Sequence, residues 1–127
     1  MILAAFFKSA DGQIRRIEIS GHAGADEIGK DLVCAAASAI LYTALGAIEE
    51  ICGLTDFYRI VEDMDSDSIP FSEIWIPNQI DSIETEKAVQ IILRTMQVGY
   101  KQLEETTCTD GNNRFVEVKE FEHNQEV

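Results

Sequence analysis

A chain of 127 residues with 46% apolar side chains is long enough for one domain with its own core, without disulfide or metal staples. Its 23 acidic against 10 basic residues leave a formal charge of −13; that field repels phosphates and anionic lipid headgroups, disfavours nucleic-acid and membrane-surface roles, and draws a basic partner. Cys34, Cys52 and Cys108 are odd in number and show no C-x-x-C spacing, which argues against a disulfide framework and a zinc knuckle.

Two strands open the chain, Ile2–Lys8 and Ile14–Ser20, with Asp11-Gly12 between them as a tight turn. In the second, Ile17 and Ile19 alternate with Arg16 and Glu18, which predicts one buried and one wet face. The apolar run at residues 1–7 is too short for a signal peptide and has no basic leader, so a cytoplasmic setting with free thiols is expected. Gly21, Gly24 and Gly29 then mark an irregular loop that carries His22.

A long helix is expected over residues 31–52, apolar on nearly every face and ended by Gly53. Leu32 to Ile48 contains no charged residue, but it falls short of the roughly 20 residues that span a bilayer and is rich in Ala, Ser, Thr and Gly. A buried helix of a soluble domain is the expectation.

Further strands are predicted at residues 57–61 and 73–76, joined by the acidic connector 62–68 and bracketed at the second by Pro70 and Pro77. Asp81-x-x-Glu84 has capping-box character and opens a helix toward Leu103, with Ile92, Met96, Gly99 and Leu103 as its inward stripe. A turn-rich loop at 106–113 and a last strand at 115–118 follow. The fold class is therefore α+β, a small, largely antiparallel sheet in the order strand-strand-helix-strand-strand-helix-strand with two helices packed on it. Residues 1–121 make one domain and 122–127, with His123, a loose polar tail.

The chemistry concentrates between His22 and Ser38. Cys34 falls in the first turn of the long helix, where unpaired N–H groups and the helix dipole favour a thiolate over the thiol of free cysteine, pKa about 8.5. His22, on a glycine-flanked loop, can swing beside it, and an imidazole next to a thiol is the minimum unit for thiol activation. The plain alternatives are a small buried hydrophobe for Cys34 and an ordinary loop histidine for His22. Cys52 and Cys108 have no histidine obviously paired to them. Asp63-x-Asp65-x-Asp67 has the look of a calcium loop, but Ser68 stands where glycine is required and Ile74 at the twelfth position cannot ligate. Without a phosphate-cradling glycine motif or a G-x-S-x-G elbow, no cofactor and no metal are expected.

Gly21-His22-Ala23, followed by Gly29-x-Asp31-x-Val33-Cys34-Ala35-Ala36-x-Ser38-Ala39, resembles the signature of the Prp family of bacterial ribosomal-processing cysteine proteases. The resemblance runs along essentially the whole chain and is weakest at residues 62–73. It implies an endopeptidase that removes the N-terminal extension of one large-subunit ribosomal protein, the one whose tail reaches the peptidyl-transferase centre. Cleavage in the family follows a hydrophobic sequence ending in paired phenylalanines and precedes a basic mature tail. By the same match His22 corresponds to the general base and Cys34 to the nucleophile, Asp31 and Ser38 to the other polar positions, and a homodimer is implied.

Asp31 remains open between orienting His22 and capping the helix. Ser38, four residues after Cys34, remains open between a role at the site and close packing. The glycines serve either loop opening or turn geometry. Backbone N–H groups at the helix start are the expected oxyanion donors. The competing function is a non-catalytic acidic adaptor binding the same ribosomal protein or an assembling ribosome, and a third is a thiol-dependent hydrolase or acyl-transferase with a small substrate.

Overall fold

The Asp11-Gly12 turn forms as expected: the Ser9 N–H donates to Gln13 O (2.8 Å) and the Gly12 N–H to Ser9 O (2.9 Å). It joins β1 (Ile2–Lys8) to β2 (Ile14–Ser20) in antiparallel register, Ala4 opposite Ile19 and Phe6 opposite Ile17. The computed structural model describes residues 1–22, 31–61, 70–108 and 114–123. The remaining described elements are α1 (Leu32–Cys52), β3 (Tyr58–Val61), β4 (Phe71–Trp75), α2 (Ile83–Thr107) and β5 (Val116–Glu122). The expected α+β order is thus observed. The five strands run β3-β4-β2-β1-β5, antiparallel throughout except for the parallel β1–β5 pair. The acidic connector, with Asp63, Asp65 and Asp67, lies outside the described residues.

One sheet face carries Ala4, Phe6, Ile17, Ile19, Ile74 and Val116 into the core, joined there by stripes from both helices. The opposite face holds Arg16, which bridges Glu18 (2.6 Å) and Glu73 (2.9 Å), and the stacked Phe7–Phe121 pair. Two helices on one face make a two-layer α+β domain. That geometry covers only one stripe of α1: Ala37, Leu41, Ala44, Leu45 and Ile48. The expected buried helix is thus buried along that stripe, while Leu32 and Ile51 are largely exposed and Tyr42 about half so. By length and composition α1 could cross a membrane, yet here its stripe is part of the core.

The capping residue of α2 is Ser82, one position after the expected Asp81; its hydroxyl accepts the Thr85 N–H at 3.3 Å. Both residues are good caps, and only the extended backbone at 82 decides between them. Val89, Leu93, Met96 and Tyr100 form the buried stripe of α2, while Ile92, Gly99 and Leu103 border it, half-buried. The helix also runs to Thr107, four residues past Leu103.

Two polar ties fix α2 to β2. The buried Gln90 amide accepts the Ile14 N–H (2.8 Å) and donates to Ile14 O (2.9 Å). Arg15, buried, pairs with Glu86 at 2.6 Å and donates to Pro77 O. The last strand corrects the expected ending. β5 pairs with β1 as far as Lys8–Glu122, and the His123 N–H donates to Lys8 O at 2.7 Å, so Glu122 and His123 are tied to the sheet rather than part of a loose tail.

Candidate active site

Helix α1 begins where its sequence says it should. Asp31 is the N-cap, with extended backbone, and its Oδ1 accepts the N–H groups of Val33 (3.0 Å) and Cys34 (3.1 Å). Its backbone carbonyl accepts the Ala35 N–H at 3.1 Å. Cys34 therefore occupies the third helical position, half-buried and in no disulfide, at the positive end of the dipole. Asp31 is itself buried. While Asp31 caps the helix, the N–H groups of Val33, Cys34 and Ala35 have acceptors.

The two helices run antiparallel. Tyr100 Oη donates to Ala37 O at 2.8 Å, and Gly99 lies against Ile40. Toward the C-terminal half of α2, the Glu104 carboxylate accepts the Val118 N–H at 2.8 Å. Val118 is in register with Ala4, and Ala4 with Ile19. The first turns of α1 thus lie toward the end of the sheet where β2 finishes in Ser20 and passes through Gly21 to His22.

Gly21 is required there for backbone reasons. Its φ is +93°, and a Cβ on it would clash with Met1 O. Its N–H donates to Pro70 O at 3.1 Å, tying the exit of β2 to the entry of β4. His22 follows directly and is exposed. Gly24 and Gly29 lie outside the described residues. Ser38 is exposed one turn beyond Cys34, which argues against its being a close-packing position. Tyr42 continues that row by another step of four and is 48% exposed.

Cys52 is half-buried near the end of α1, and burial raises its thiol pKa. Cys108 is exposed at the end of α2. Among the described residues no group of His, Cys, Asp and Glu side chains could hold a metal ion.

Comparison with known proteins gives the family of the chain. The family model for cysteine protease Prp matches residues 1–110. The chain belongs to the Prp family of cysteine proteases. It is 32% identical over 104 residues to the ribosomal processing cysteine protease Prp of Bacillus subtilis, covering 82% of this chain and 88% of that one. The crystal structure of SMU.848 from Streptococcus mutans superposes with a TM-score of 0.74 at 25% identity, over 97% of this chain and 96% of that one. The Prp protease of S. aureus, solved with a covalently linked product peptide, matches with a TM-score of 0.64 at 28% identity, over 94% of this chain and 99% of that one. In this member of the Prp family, the capped start of α1 presents one cysteine, and the turn after β2 presents one histidine.

Proposed function

We propose that His22 and Cys34 form a catalytic dyad that hydrolyses a peptide bond. The observation that carries this reading is the placement of Cys34 in the capped first turn of α1, toward the sheet end from which His22 leaves β2. His22 takes the thiol proton and the sulfur attacks the scissile carbonyl. The positive end of α1 favours both the thiolate and the developing oxyanion. His22 then returns the proton to the departing amine, and water, activated by the same imidazole, hydrolyses the thioester. Asp31 holds the turn; Ser38 borders the site.

The substrate we infer is the N-terminal extension of the large-subunit ribosomal protein whose tail reaches the peptidyl-transferase centre, cleaved in the cytoplasm during ribosome assembly. Membership of the Prp family supports this, as does the charge of −13, which steers a cationic ribosomal protein toward the enzyme. The S. aureus relative, solved with a substrate peptide and with a covalently linked product peptide, supports a peptide as ligand.

We also infer a homodimer. An apolar groove of about 430 Å³ between α1 and α2, with Ala39, Ile40, Thr43, Ile92 and Thr95 among its lining, opens to solvent beside exposed Ile91 and Val98. The α1 side of this groove has no charge, so two strongly acidic copies can meet there with least repulsion. Val98→Glu should shift sedimentation toward a monomer; an unchanged mass would reject this interface.

Thiol reactivity tests the dyad. With iodoacetamide at neutral pH, Cys34 should alkylate before Cys52 and Cys108, and His22→Ala should slow Cys34 alone. Equal rates at all three would favour the non-catalytic adaptor.

A further inference from the structure

The polar side chains of α2 tie it to its neighbours at several points. Toward the sheet, Glu86 pairs with Arg15, Gln90 bonds both backbone groups of Ile14, Gln97 donates to Glu120 at 2.7 Å, and Glu104 accepts the Val118 N–H. Losing any one of these leaves the others to hold the helix. Tyr100, fully buried, points instead to α1 and donates to Ala37 O at 2.8 Å. Its ring packs edge-on to Phe6 of β1, with centroids 6.4 Å apart. Tyr100 therefore joins the helix that carries Cys34 to a frame already fixed on the sheet.

The buried residues of α1 are Ala37, Leu41, Ala44, Leu45 and Ile48, all apolar. Apolar burial is non-directional, so it sets the distance between two helices more firmly than their offset along the axis. Beside Tyr100 the helices come close, since a Cβ on Gly99 would stand 3.2 Å from Ile40 Cγ2. Ala37 does not need the phenol, because its carbonyl lies inside α1, where the helix supplies an N–H. A phenylalanine would fill the same space. What the hydroxyl adds is a directional bond three residues from Cys34, about 4.5 Å of helix rise. Close to a reacting pair such a bond matters, because a misplacement of about 1 Å can cost about a hundredfold in rate. We propose that Tyr100 is a positioning residue for peptide cleavage: by holding Ala37 it sets where the Cys34 turn stands relative to the sheet end that carries His22. This rests on the reading of His22 and Cys34 as the dyad and adds the contact that keeps them in place.

The test measures kcat and KM for wild type, Tyr100→Phe, Gln90→Leu and Cys34→Ser, per folded enzyme as read from urea unfolding. The substrate is a peptide with a hydrophobic stretch ending in paired phenylalanines before a basic tail. Tyr100→Phe should lower kcat about three- to tenfold while KM stays within about twofold of wild type. Gln90→Leu removes a buried tie of the same helix that does not reach α1, and should unfold at lower urea with kcat unchanged. A wild-type kcat in Tyr100→Phe, a loss carried by KM alone, or an equal fall of kcat in Gln90→Leu would overturn the positioning role and leave the dyad standing. No cleavage by the wild type, or undiminished cleavage by Cys34→Ser, would overturn the dyad and the positioning role with it.

Discussion

Asp31 Oδ1 accepts the backbone N–H of Cys34 at 3.1 Å, so the residue that caps α1 also fixes the turn that carries the thiol. Removing the cap leaves the N–H groups of Val33 and Cys34 without this acceptor. Asp31→Ala should cost about 1 kcal/mol in urea unfolding and slow alkylation of Cys34. Asp31→Asn keeps an acceptor at the same place and should recover both. Stability recovered by Asn without recovery of peptide cleavage would instead give the carboxylate a part in orienting His22.

Gly21 meets two constraints at once, a φ of +93° and the approach of Met1 O to where a Cβ would stand. Gly21→Ala should therefore destabilise the fold by about 2 kcal/mol, within the range for residues forced into such backbone regions. Because His22 is the next residue, cleavage should fall further than the loss of folded protein explains. Circular dichroism during thermal unfolding, read beside kcat/KM, separates the two effects.

Gln90 satisfies both backbone groups of the fully buried Ile14. Gln90→Leu preserves the volume but strands the Ile14 N–H and carbonyl away from water. A loss of about 1–3 kcal/mol is expected, read as a lower urea midpoint with an unchanged slope. The thiol is carried by the other helix, so the rate of Cys34 alkylation should stay as it is.

The parts of this protein legible in its sequence are those fixed locally. β1, β2 and α1 start and stop where alternation, Asp11-Gly12, Asp31 and Gly53 say they should, and Gly53 takes the left-handed backbone with its N–H on Glu49 O. What was not legible depends on remote partners. β5 extends to Glu122 because β1 lies parallel beside it, although Lys119, Glu120 and Glu122 weaken its alternation. Ile76 lies beyond the end of β4 yet is buried, with its N–H on Arg15 O, so the shifted strand boundary leaves its packing intact. At the site, the cysteine at a helix start and the glycine-flanked histidine could be read from residue types alone. That Gln90 closes on Ile14, and that Tyr100 reaches Ala37 O, follows from three-dimensional placement that no local pattern encodes.

The central claim is that the Cys34 sulfur performs the cleavage. Its most direct measurement is hydrolysis of a peptide with a hydrophobic stretch ending in paired phenylalanines before a basic tail, followed by mass spectrometry for wild type and Cys34→Ala. The wild type should give two defined fragments and the variant intact peptide, at matched folded protein. Fragments appearing at the same rate with Cys34→Ala would contradict it.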